Sequence, residues 1–140
     1  MKRILALAMS CVLVLGTLAG CGNSNSGGSD GSASGGSGEK VVKVGIYEPS
    51  SGANGAGGKK EILGIEYANS VAPTVEIGGE EYKVELVAVD NQSENDKGVS
   101  AAQQLVQEGV SIALGSYGSG VSMAAAPIFE DAGIPAIGCS

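Results

Sequence analysis

Four short runs rich in β-branched residues, the first three each followed by a small-residue turn and a stretch at helical spacing, constrain this chain more than any other feature. VVKVGIY at residues 41–47 ends in the turn-forming PSSGANG, which reads as a strand and a loop. From about residue 57 to 72, Ile62, Ile65, Ala68, Val71 and Ala72 recur at helical spacing before Pro73 stops the run. A turn at Gly78-Gly79, with Glu80-Glu81 read as its solvated continuation, leads to a second strand, YKVELVAV at 82–89, which ends at Asp90-Asn91. Ser93 followed by Asp96 fits a capping box, and Val99, Ala102, Leu105 and Val106 form the apolar stripe of a second helix that Gly109 closes. VSIALG at 110–115 is a third strand. After Ser116-Tyr117-Gly118, Ser119 is placed to cap a third helix that runs to about Asp131, bends at Pro127 and ends at Gly133. IPAI at 134–137 begins a fourth strand. Strand and helix in strict alternation predict an α/β fold with a parallel sheet and helices on its faces. Ligands of such folds bind at the carboxyl ends of the strands, here the loops around Ser51, Asp90, residues 116–120 and residues 138–140.

What precedes this unit is of a different kind. Lys2 and Arg3 stand before an apolar run, residues 4–19, interrupted only by Ser10, Cys11, Gly16 and Thr17, as in a secretory signal sequence. The run closes on Leu18-Ala19-Gly20-Cys21, which resembles the lipobox of bacterial lipoproteins, and that resemblance implies cleavage after residue 20 and lipidation of Cys21. Residues 22–38 are almost wholly Gly, Ser and Asn, with little to bury and a flexible-coil reach of roughly 20 to 25 Å. The expected organisation is a signal peptide at 1–20, a lipidated cysteine and tether at 21–39, and a folded unit at 40–140.

Composition excludes several classes of function. Removal of residues 1–20 takes away two of 8 basic residues and none of 15 acidic ones, leaving a net charge of −9 and no arginine, which argues against nucleic acid as a partner. There is no histidine, so Ser-His-Asp and Cys-His catalysis and histidine metal sites are excluded within these residues. No catalytic residue, metal ligand or cofactor is assigned. Of three cysteines, Cys11 leaves with the signal and Cys21 carries lipid, so Cys139 has no partner here and reads as a small buried residue.

The first glycine-rich loop is the natural place to test for a phosphate site. Lys60 stands where the third glycine of GxGxxG belongs, while Ala53 and Lys60 break GxxxxGK[ST], so both nucleotide fingerprints fail. Asp90 is read as structural or water-facing in preference to a ribose or metal ligand. Tyr117 is either a packing residue or the wall of a ligand cleft. Ser119 has two readings as well. At a helix start its hydroxyl stands beside free backbone N–H groups and the positive end of the helix dipole, which together suit a carboxylate, or it simply caps its own helix.

Three segments, KVGIYEPSSGANGAGGK at 43–59, VELVAVDNQSENDKGVSAAQQLV at 84–106 and IALGSYGSGVSMAAAPIFEDAGIPAIG at 112–138, resemble the first part of the branched-chain (Leu/Ile/Val-type) amino-acid substrate-binding lipoproteins of ABC transporters, in the periplasmic-binding-protein family. The resemblance implies the Rossmann-like N-terminal lobe of a type I periplasmic binding protein, incomplete because the second lobe would follow residue 140. It also implies a non-enzymatic solute-binding component that captures an amino acid outside the cytoplasm and delivers it to a membrane permease, anchored by lipid at Cys21. A ligand-sensing receptor domain of the same fold is the alternative. The residue matching Ser119 takes the ligand's α-carboxylate, Tyr117 and Gly118 stand in the same loop, and the residue matching Ser140 offers backbone atoms to the ammonium group. Where the family often has an aromatic residue that touches the ligand side chain, this sequence has Gly57.

Overall fold

β1 (Val41–Ile46) is the middle of a five-stranded sheet in the order β2-β3-β1-β4-β5, in a computed structural model that describes residues 38–138. The expectations for Cys21, Cys139 and Ser140 lie outside the described residues. β3 (Glu80–Ala88) pairs with β1 in parallel from Val41↔Lys83 to Ile46↔Ala88, and β4 (Ile112–Leu114) pairs in parallel with its other edge at Val44↔Ile112 to Ile46↔Leu114. β5 (Ala136–Ile137) extends the sheet beyond β4. The expected parallel α/β fold is present.

One strand was not expected. β2 (Thr74–Ile77) pairs antiparallel with β3, so the sheet is mixed, and Glu80 and Glu81 are exposed residues of β3, not a solvated turn. Gly78 and Gly79 have φ of 63° and 83°, the left-handed pair that a two-residue hairpin of matching twist requires.

The two faces of the sheet are covered unequally. α2 (Asn95–Gln107) and α3 (Ser119–Asp131) pack on one face, where Ala101, Ala102 and Leu105 meet Tyr47, Val110, Ala113, Ala125 and Phe129 in the main core. The Tyr47 and Phe129 ring centroids are 5.1 Å apart and tilted by 56°. Gly98 lets the two helices approach, since a Cβ there would lie 2.4 Å from Val121 Cγ1. Both helices end in the same way. Gly109 and Gly133 adopt φ of 71° and 67°, and the N–H groups of Val110 and Ile134 reach back to the carbonyls of Leu105 and Phe129.

α1 (Gly55–Val71) alone covers the other face among the described elements, and its fit is looser. Ile65, Ala68 and Ala72 face Val44, Val84, Leu86 and Leu114 across an apolar groove. Val71, expected on the inner stripe, is exposed together with Leu63 and Tyr67. Pro127 lies on the outside of α3, whose helical assignment runs through it without a break.

Candidate functional site

The order of strands reverses at β1, because the chain moves outward to β3 on one side and then to β4 on the other. The loops after β1, β3 and β4 therefore meet at one end of the sheet, where a crevice forms in open α/β folds. Each loop is tied to another by a buried or half-buried polar side chain.

Glu48, directly after Tyr47, is 1% exposed and accepts a hydrogen bond from the Tyr117 N–H at 2.7 Å through Oε2. Asn91, fully buried, donates through Nδ2 to the Tyr47 carbonyl at 2.5 Å and to the Ser116 hydroxyl at 2.7 Å, and its Oδ1 accepts from the Ser93 N–H. Ser122, one turn into α3, accepts the Ser116 N–H at 3.0 Å. These contacts hold residues 116–118 from three sides. Gly115 has φ of 129°, a conformation that favours glycine, and a Cβ there would also lie 3.0 Å from Glu48 Oε1 and 3.1 Å from the Tyr47 ring.

Asp90 ties the first loop to the second. Its Oδ1 accepts from the N–H groups of Ser50 at 2.9 Å, Ser51 at 3.3 Å and Gln92 at 2.8 Å, and its Oδ2 accepts from the Ser51 hydroxyl at 2.6 Å. Burial by itself raises the carboxyl pKa, but the hydrogen bonds from Ser51, Gln92 and Ser50 outweigh it and lower the value from 3.8 to about 2. Asp90 is thus structural, though it neither caps a helix nor simply faces water. Ser93 does not act as the N-cap of a capping box either. Glu94 occupies the cap position of α2, no side-chain cap bond forms there, and the Ser93 hydroxyl accepts the Asn54 N–H at 2.9 Å and faces the Ser51 carbonyl at 3.1 Å.

Ser119 is exposed and is the first residue of α3, while Gly118, with φ −94° and ψ 113°, holds the cap position. No side-chain cap bond is made at this helix start, so the capping role expected for the Ser119 hydroxyl is not filled. The first helical bond runs from the Ser122 N–H to the Gly118 carbonyl at 3.0 Å, and the N–H groups of Ser119, Gly120 and Val121 lack helical acceptors, as every helix start does. Tyr117 is 42% exposed, and its ring lies against the backbone at Gly57, in the first turns of α1. The structure therefore brings Tyr117, Gly118 and Ser119 together on one loop and sets α1 beside them.

Glu48, Asn91 and Ser122 were not singled out from the sequence. A carboxylate directly behind an apolar strand was the available signal for Glu48, but the turn-forming residues after it drew it into a loop.

Residues 41–140 match the model of a family described as periplasmic binding protein. The chain belongs to this family. As a periplasmic binding protein it is 33% identical over 103 residues to "Leu/Ile/Val-binding protein homolog 1" of Brucella abortus (strain 2308), a match that takes in 73% of this chain and 27% of the relative. A leucine-binding protein of Thermotoga maritima MSB8 is similar in structure, with a TM-score of 0.65 and 34% identity over 70% of this chain and 27% of that one. So is the branched-chain amino acid transporter substrate-binding protein of Streptococcus pneumoniae solved with isoleucine, with a TM-score of 0.63 and 32% identity over 71% and 28%. This periplasmic binding protein chain spans about a quarter of the length of each.

Proposed function

We propose that this chain supplies one half of an amino-acid binding site in the extracytoplasmic, non-enzymatic solute-binding component of an ABC importer, which hands a branched-chain-type amino acid to a membrane permease. The observation that carries the reading is the start of α3. There a hydroxyl with no cap bond of its own, at Ser119, stands beside backbone N–H groups without helical acceptors, on a loop held by Glu48, Asn91 and Ser122. A carboxylate placed there receives several donors and the positive end of the helix dipole, and the loop need not reorganise to receive it. In this reading Tyr117 and Gly118 line the same side, and Ser140 offers backbone atoms to the ligand's ammonium group. Its relatives' names support an amino acid as the ligand.

The front of the chain belongs to the same proposal. Residues 1–20 direct export, Cys21 carries the lipid anchor, residues 22–39 are the tether, and residues 40–140 are part of the N-terminal lobe. Isothermal titration of the polypeptide carrying both lobes, against leucine, isoleucine, valine and a panel of other amino acids and amides, tests the function. Saturable binding of an amino acid supports it, and binding of none of the panel refutes it.

A further inference from the structure

α1 turns one face away from the sheet, and that face is not polar. Ile65, Ala68 and Ala72 line the groove against the sheet, while Leu63, Tyr67 and Val71, each four residues from the next, stand 63%, 71% and 67% exposed. Single exposed apolar residues are ordinary, but three in one stripe along a helix form a surface that gains by leaving water. Gly64, beside them, has open space where a Cβ would stand. Charges frame the stripe in a definite order. At about 3.6 residues per turn, Lys59 and Glu66 lie on one flank of Leu63, and Lys60 and Tyr67 lie on the other. On each flank a lysine precedes Leu63 by three or four residues, and a carboxylate or an aromatic ring follows it at the same remove. All four residues are exposed, and among the described residues Lys59, Lys60 and Glu66 make no ion pair.

We propose that this face of α1 binds a second copy of the chain, α1 against α1 in antiparallel, about a two-fold axis at Leu63. Such an axis sets residues before Leu63 against residues after it and keeps each flank on its own side. Lys59 then meets the partner's Glu66, Lys60 meets the ring of the partner's Tyr67, and Leu63 meets the partner's Leu63. Each contact is made twice, which is the self-complementarity that a two-fold interface requires. A parallel pair would instead set Lys59 against the partner's Lys60. α1, with 17 residues, is about 26 Å long, and one helix pair buries less than the roughly 1,200 to 2,000 Å² of a standard interface, so the dimer is weak and depends on concentration. The inference is independent of the amino-acid reading, since none of these side chains takes part in the ties at the start of α3.

Sedimentation velocity of the polypeptide carrying both lobes tests this, in its Cys21→Ala form and under reducing conditions, so that neither lipid nor a disulfide joins the chains. Over a roughly hundredfold range of concentration the mean mass should rise from monomer towards dimer. Leu63→Glu, which sets two carboxylates at the axis, should weaken the dimer about tenfold or more and leave the melting temperature of the dilute protein unchanged, because the side chain is exposed. Lys59→Glu and Glu66→Lys should each weaken it about threefold, and the two together should recover most of that loss, because the pair re-forms with its charges exchanged. A wild type that stays monomeric throughout overturns the proposal. So does a dimer that Leu63→Glu leaves intact, which would put the contact on another face, and so does a double exchange no better than the single ones, which would rule out the antiparallel pairing. If Leu63→Glu does not fold, the charge exchange decides alone.

Discussion

Glu48 Oε2 accepts the backbone N–H of Tyr117 at 2.7 Å across a sequence separation of 69 residues, and this bond joins the loop after β1 to the loop that leads into α3. The acceptor is 1% exposed, so water cannot replace the bond, and leaving a buried polar partner unpaired costs about 1 to 3 kcal/mol.

Removal of the Glu48 side chain leaves the Tyr117 amide without this partner and opens a void beneath the loop. Glu48→Ala is expected to destabilise the protein by about 2 to 4 kcal/mol, read from the urea midpoint at constant slope. Glu48→Gln, which keeps an oxygen acceptor and the volume, should cost clearly less. Equal losses from both would mean that the Tyr117 contact is not what Glu48 supplies.

Asp90 sets the acid limit of the two-loop tie. Its pKa in the folded chain is lowered from 3.8 to about 2, so its contribution to stability is fully present above about pH 4 and is lost as pH falls through about 2. Asp90→Asn should therefore flatten the stability profile between pH 4 and pH 2, and it should cost about 1 to 2 kcal/mol at pH 7, discounted for partial solvent screening. Parallel acid-unfolding curves for wild type and variant over that window would contradict the assignment.

Gly98 permits the close approach of α2 to α3. An added methyl group would meet Val121 Cγ1 at 2.4 Å, and a β-branched side chain cannot swing away without moving its helix. Gly98→Ala should lower stability by about 1 to 3 kcal/mol in spite of alanine's better helix propensity. A neutral or raised melting temperature would show that the helices are not packed as described.

The sheet and its helices were legible in the sequence because their residues act locally. Runs such as VVKVGIY are rich in β-branched residues, and Gly109 and Gly133 stand where a helix needs a left-handed residue. β2 was not legible, since four exposed residues behind Pro73 bury too little to leave a pattern and its Glu76 even faces Glu81 across the pair. The site was half legible. The loop carrying Tyr117, Gly118 and Ser119 follows from the order of elements, but the ties to Glu48 and between Asp90 and Ser51 span 69 and 39 residues and leave no local trace. Ser93 shows how a local rule loses to a distant partner, since its hydroxyl meets Asn54 and Ser51 in place of its own helix.

The anchor proposed at Cys21 has a direct chemical readout. Mass spectrometry of the membrane fraction should find a diacylglyceryl-modified N-terminal cysteine, and Cys21→Ala should abolish it. Recovery of unmodified wild-type protein from the soluble extracytoplasmic fraction would rule the anchor out.

The proposed site turns on the Ser119 hydroxyl, at the start of α3, donating to the carboxylate of a bound amino acid. Isothermal titration of wild type and Ser119→Ala, both in the polypeptide carrying both lobes and with the best-bound amino acid, tests it most directly. Ser119→Ala is expected to bind more weakly by about 1.5 to 3 kcal/mol, with an unchanged melting temperature in the absence of ligand, because no cap bond is lost. Unchanged affinity in a folded Ser119→Ala protein would contradict it.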